Sequence, residues 1–229
     1  MPSNDLTLWG MGTVRQLRPH WMLAELGLEY DFHPIHPRSG QTTTQEFLAM
    51  NPRHKVPVLR HGSLVITESA AITQYLSDAF PAPAGIFAPR DPVGRARVAE
   101  WCYFAMTELD AHALYIIRRH ADLKHLYGDA PAAVSAAREY FDDQFNAVVP
   151  RIERAGEFLV GEGLSVADIV LVTTLDWAIS AGLSIPAVAR SYRNRLASRP
   201  AYRAAHARTF PGAGPDPIGV QPYSPPEKG

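Results

Sequence analysis

The sequence predicts an α/β unit of order βαβαββα over residues 1–81, followed by an all-helical unit over residues 93–210. Three observations lead there. Short β-like runs alternate with helical periodicity through the first eighty or so residues. A proline-rich break, Phe80-Pro81-Ala82-Pro83-Ala84-Gly85 with Pro89 and Pro92 beyond it, then interrupts the pattern. After the break strand signals vanish, and apolar residues recur at spacings of three and four.

Element by element, Leu6-Thr7-Leu8-Trp9 reads as a strand closed by Gly10-Met11-Gly12. From Arg15 to Leu28 the period turns helical, with Leu17, Trp21, Ala24 and Leu28 on one face and Pro19 placed near the first turn. Tyr30 to Ile35 is the second strand, and Thr44 to Met50 a short helix stopped by Asn51-Pro52. Val58–His61 and Leu64–Ile66 flank Gly62-Ser63 as a hairpin, and Glu68 to Asp78 closes the unit as a helix. The first two strands need a crossover and the last two a tight turn, so the sheet is mixed. Residues 82–92 form the linker. Long helices are expected from Pro92 to about His120 and from Ala130 to about Ala155. Shorter ones follow at Val166–Ala181, Ile185–Ser198 and Pro200–Thr209, with a Pro/Gly-rich extended tail over 211–229.

Composition narrows the functional classes. A net charge of −1 on 229 residues gives no global field toward nucleic acid or anionic membrane. No apolar stretch approaches the ~20 residues a membrane span requires. The N-terminus has no basic region followed by an apolar run, so the cytoplasm is the expected compartment. The single cysteine, Cys102, rules out an intrachain disulfide and a Cys-x-x-Cys pair, and its apolar helical surroundings suit a buried, inert thiol. His33 and His36 straddle Pro34 without a third ligand nearby, so no metal is assigned. Gly10-x-Gly12 lacks the third glycine of a dinucleotide loop.

Three segments carry a resemblance. Asn51-Pro52-Arg53-His54-Lys55-Val56-Pro57 precedes the hairpin, Glu68-Ser69-Ala70-Ala71-Ile72 starts the helix after it, and Ser165-Val166-Ala167-Asp168 has the spacing of a capping box. In this order, across a proline linker, they resemble the cytosolic glutathione transferase superfamily over about residues 6–209. The resemblance implies a thioredoxin-like first domain that binds glutathione as co-substrate, a helical second domain that receives an electrophile, and a homodimer. It implies that Val56, before a cis Pro57, pairs its backbone with glutathione, as in β-strand addition; a trans proline opening an edge strand is the plain alternative. Glu68 and Ser69 would take the γ-glutamyl ammonium and carboxylate at a helix N-terminus, and Lys55 the glycyl carboxylate. Simple capping and a solvated surface lysine are the alternatives there. The Ser165–Asp168 box is read as structural only.

The loop where this superfamily activates the thiol departs from its pattern. Trp9-Gly10-Met11-Gly12-Thr13-Val14-Arg15 has no Tyr, Ser or Cys. Thr13 is the only hydroxyl there and is the expected catalytic residue, as a donor that favours thiolate. Backbone amides at 12–14, aided by Arg15 or Arg18, are the rival, and a helix N-cap is the structural alternative. For the second substrate, Met11, Tyr103, Tyr115 and Arg119 are the expected pocket residues. His112, Arg118 and Trp177 are further possibilities, and bundle core is the alternative for the aromatic members.

The expected function is a transferase that presents glutathione thiolate to a hydrophobic, aromatic electrophile, by conjugation, dehalogenation or β-aryl ether cleavage. The alternative is a non-catalytic glutathione or ligand carrier on the same fold. Disulfide or dehydroascorbate reduction is disfavoured because the loop has no cysteine.

Overall fold

The computed structural model describes residues 5–212; the tail expected beyond residue 212 lies outside the described residues. A four-stranded sheet is built from β1 (Leu6–Trp9), β2 (Asp31–His33), β3 (Val58–His61) and β4 (Leu64–Thr67), in the order β2-β1-β3-β4. β1 runs parallel to β2, with Leu8 opposite Phe32, and antiparallel to β3, with Leu8 opposite Leu59. β3 and β4 form the hairpin, with Leu59 opposite Ile66. The mixed sheet read from connection lengths is the sheet observed.

Helices α1 (Val14–Glu25), α2 (Gln45–Met50) and α3 (Ser69–Ala79) complete this unit, which is thioredoxin-like. Pro19 is the sixth residue of α1, not a first-turn residue as the sequence suggested. It therefore removes the N–H that would otherwise reach the Arg15 carbonyl, one turn below the site. Leu17 and Trp21 are fully buried in a core shared with Leu8, Leu59, Ile72 and Leu76.

The linker is held as well as stiffened. Phe87 N–H donates to Leu164 O, and Leu164 N–H donates to Gly85 O, both at 2.8 Å. Helical backbone then runs from α4 (Pro92–Phe104) through a π-helical stretch (Ala105–Leu114), α5 (Tyr115–Ile117) and a second π stretch (Arg118–Asp122). The expected long helix is thus present but wound differently in its second half. Short α6 (Lys124–Tyr127), which the sequence reading missed, precedes α7 (Pro131–Arg154), α8 (Val166–Ser180), α9 (Ala187–Ala197) and α10 (Pro200–Thr209).

α8 is buried on every side from Val166 to Ala178, as a central bundle helix must be. Its entry is fixed by Asp168, whose carboxylate accepts from the Ser165 N–H at 2.8 Å, the Ser165 hydroxyl at 2.7 Å, the Leu159 N–H at 2.8 Å and the Tyr192 hydroxyl at 2.7 Å. No helix among the described residues is long and apolar enough to cross a membrane.

Candidate functional site

Two helix N-termini and one loop edge meet at a single cleft. α1 starts directly after β1, and the loop between them is pinned from three sides. Gly10 and Met11 N–H donate to His33 O and Ile35 O at 3.0 Å, and Gly12 N–H donates to Thr209 O at 2.9 Å. Gly10 has φ +124°, and a Cβ there would lie 2.8 Å from both Gln16 Cγ and Val56 Cβ. The loop can approach Val56 this closely only as glycine.

Among the described residues, no group accepts from the N–H of Thr13, Val14 or Arg15. These are the open donors of a helix start, at the positive end of its dipole. Thr13 is the N-cap residue by position (φ −143°, ψ 160°), but its side chain caps no backbone N–H. Its hydroxyl donates to Gln16 Oε1, and Gln16 Nε2 donates to Val56 O at 3.1 Å. The Thr13 proton is therefore aimed at Gln16, which corrects the expectation that it points at a thiol. Thr13-x-x-Gln16 has capping-box spacing, the one sequence signal that could have drawn attention to Gln16.

The edge of the cleft is the 51–57 loop. Asn51 shapes it from within, donating from Nδ2 to Lys55 O at 2.8 Å and accepting from the Arg53 N–H at 3.1 Å. The Val56–Pro57 peptide is cis. Val56 N–H has no partner among the described residues, while its carbonyl already accepts from Gln16. Half of the expected backbone pairing site is thus open, and the other half is shared.

α3 supplies the second N-terminus. Glu68, just before it, has φ +70° and ψ 116°, a conformation costly for a residue with a Cβ. Its exposed carboxylate pairs with Arg53 at 2.7 Å. Ser69 is 2% exposed, and its Oγ accepts from Arg18 Nη1 at 3.0 Å, which leaves its own proton to donate.

Beneath lies a buried ion network that the sequence reading missed. Arg18 is fully buried and also donates to Asp110 Oδ2, Thr173 Oγ1 and Thr174 Oγ1, each at 3.0 Å. It ties α1, α3, the first π stretch and α8 together. Arg15 pairs with the other oxygen of Asp110. Burial opposes ionisation of Asp110, but the two guanidiniums hold its carboxyl below the usual range. π-helical turns recur at functional sites, and here one carries Met106, Asp110 and Ala111 to the cleft wall.

The cleft has a volume of about 390 Å³ and takes in Arg15, Lys55, Val56, Pro57, Glu68, Ser69 and Tyr115. A narrower lobe of about 60 Å³ shares Arg15, Lys55, Val56 and Tyr115 with it, and adds Thr13, Arg118 and Trp177. Thr13, Lys55, Val56, Pro57, Glu68, Ser69 and Tyr115 therefore come together.

Met11, Tyr103 and Arg119 do not join them. Met11 is 7% exposed and lines neither lobe of the cleft. Arg119 is exposed and sits 4.2 Å over the Tyr127 ring, whereas its neighbour Arg118 faces the lobe. Tyr103 is 70% exposed and lines a separate groove between α3 and α4. Helical spacing groups residues on a face, but it does not say which face a neighbour covers; α4 packs through Val98, Trp101 and Cys102. Burial pushes the Cys102 thiol up to about 12, as an inert thiol requires.

The sequence models for the glutathione S-transferase N-terminal and C-terminal domains match residues 4–78 and 104–200. Over 182 residues the chain is 32% identical to glutathione S-transferase D7 of Drosophila melanogaster, covering 77% of each protein. Over 161 residues it is 31% identical to glutathione S-transferase theta-3 of Mus musculus, covering 69% of this chain and 66% of that one. A solved glutathione S-transferase domain-containing protein from Marinobacter aquaeolei superposes with a TM-score of 0.74 at 28% identity, over 86% of this chain and 99% of that one.

Proposed function

The chain belongs to the glutathione transferase superfamily, and from that premise we propose that its cleft binds glutathione and presents the thiolate to an aromatic electrophile. The observation that carries this reading is the meeting of the α1 N-terminus, the open Val56 N–H and the α3 N-terminus around one cavity. An extended γ-glutamyl peptide has an anionic end for Ser69 and the α3 dipole, an ammonium for Glu68, a backbone for Val56 and a glycyl carboxylate for Lys55.

The thiol then lies against the free Val14 and Arg15 N–H groups. Two charge-assisted donors are worth about 1.5–3 kcal/mol each, and a two-unit fall in thiol pKa needs about 2.7 kcal/mol. The amides can supply it without the Thr13 proton. Thiolate attack on an electron-poor carbon is the common first step of conjugation, dehalogenation and aryl ether cleavage. Tyr115 and Trp177 form the aromatic wall of the second-substrate pocket. Residues 1–81 serve as the glutathione-binding unit and residues 93–210 as the electrophile-receiving unit, in the cytoplasm, where glutathione is held reduced.

One observation favours a second reading, that of a glutathione-binding protein without transferase activity: the hydroxyl of Thr13 donates to Gln16. A single titration separates the two. Thiolate absorbance of the glutathione complex should rise with a midpoint at least one unit below the ~8.5 of a free thiol. A bound thiol that titrates at its free value selects the non-catalytic protein. No calorimetric binding of glutathione or S-methylglutathione overturns both.

The superfamily resemblance also implies a two-fold homodimer. The groove between α3 and α4, about 520 Å³ in volume and lined by Ala70, Tyr75, Asp78, Arg95 and Tyr103, supports a second copy as its occupant. It carries both charge signs, which suits a surface that meets its own copy across a two-fold axis.

A further inference from the structure

The narrow lobe of the cleft is cationic well beyond what glutathione needs. Arg15, Arg38, Lys55 and Arg118 line it together with His54, and no carboxylate does. Arg15 shares the carboxylate of Asp110 with Arg18. Lys55 is assigned above to the glycyl carboxylate. Arg118 has no carboxylate within ion-pair distance among the described residues. Its guanidinium lies 6.0 Å from the centre of the Trp177 ring, which also carries Arg15 at 5.0 Å.

Resting on the glutathione reading, we infer that the electrophile bears an anionic group, a carboxylate or sulfonate on its ring, which enters this lobe and pairs with Arg118 while the ring lies against Tyr115 and Trp177. The size of the lobe agrees. At about 60 Å³ it has room for about two waters, which suits a small polar head such as a carboxylate.

The electrostatics agree as well. Burial, then repulsion from Arg38 and Arg15, holds the Arg118 guanidinium below its ordinary range, with Asp122 opposing them. A neutral ring sliding over Arg118 would strip its remaining water and return no counter-charge. An anion would relieve the mutual repulsion of the guanidiniums and accept from the planar Arg118 fork. In the reaction the thiolate sulfur bonds to the ring carbon, and that carbon's bond to its leaving group breaks, releasing, for example, chloride. The anionic substituent takes no part in the bond change and serves only to hold the ring.

The test uses the protein saturated with S-methylglutathione and two unreactive ring probes, 3,5-dinitrobenzoate and 3,5-dinitrobenzamide, with binding read by calorimetry. The acid should bind at least tenfold more tightly than the amide. Arg118→Gln should bring the two within about twofold of each other, and Arg118→Lys should retain part of the preference. The glutathione dissociation constant should stay within twofold in both variants. With catalysis, 4-chloro-3,5-dinitrobenzoate should show the same preference in KM over its amide.

Equal binding of acid and amide by the unaltered protein overturns the inference while leaving the glutathione reading intact. A tenfold rise in the glutathione dissociation constant in Arg118→Gln also overturns it, by assigning the arginine to the glycyl carboxylate. Failure of S-methylglutathione to bind at all defeats the glutathione reading instead.

Discussion

Gln16 Nε2 donates to the carbonyl oxygen of Val56 at 3.1 Å, joining the first turn of α1 to the loop edge forty residues further along the chain. The same amide accepts the Thr13 proton on its other side. Flipping the amide would set two oxygens, Gln16 Oε1 and Val56 O, against each other, so the orientation is fixed by the Val56 carbonyl.

Thr13→Val should therefore leave the bound thiol's pKa within about half a unit of its original value, because the removed proton belonged to Gln16. Thiolate absorbance titrations of the two glutathione complexes check this. A rise of about one to two units, the loss of a charge-assisted bond, would return the role of donor to Thr13.

Ser69→Ala should raise the glutathione dissociation constant about tenfold or more, since a hydrogen bond to a charged group is worth about 1.5–3 kcal/mol. The fold should survive, because Arg18 keeps Asp110, Thr173 and Thr174 as partners. Unaltered affinity by calorimetry, in a protein with unaltered far-UV dichroism, would separate Ser69 from the γ-glutamyl carboxylate.

Acid should weaken the fold through His20. Its Nδ1 lies 2.6 Å from the Tyr30 hydroxyl and its Nε2 lies 3.3 Å from Gly10 O, an arrangement that suits the neutral ring. Burial first, and the Arg208 charge with it, lower its pKa to about 4, with the Gly10 bond opposing. The unfolded chain takes up this proton near pH 6.5, and the folded chain only near 4. The contribution is complete above pH 6.5 and is lost as the pH falls from about 6.5 through about 4, amounting to about 3 kcal/mol at most. Denaturant melts at pH 7.5, 5.5 and 4.5 should show this slope in the unaltered protein and a flatter one in His20→Asn.

Tyr103→Glu should convert the protein from a particle of about twice 25.2 kDa to one of 25.2 kDa in light scattering at micromolar concentration. The substitution removes the contact of the exposed Tyr103 ring with the second copy and adds a charge that must be desolvated in the interface. A monomeric unaltered protein would remove the second copy from this groove.

The sequence alone determined the order of the strands and of every helix but α6, the mixed sheet and the family. Those features rest on local periodicity, turn chemistry and connection length, each legible within a few residues of chain. It also marked Lys55, Val56, Pro57, Glu68 and Ser69, because their signals sit at element boundaries where backbone groups are left open. The tertiary structure alone decided the rest of the site. Arg118 and not Arg119 faces the lobe because the helical stretch beyond Leu114 is wound as it is. Tyr103 faces outward because α8 covers the opposite side of α4. Gln16, Arg18 and Asp110 act through partners that lie 40 to 156 positions away in sequence. A side chain's donors are written in its residue type, but which acceptor they reach is fixed only when distant segments pack.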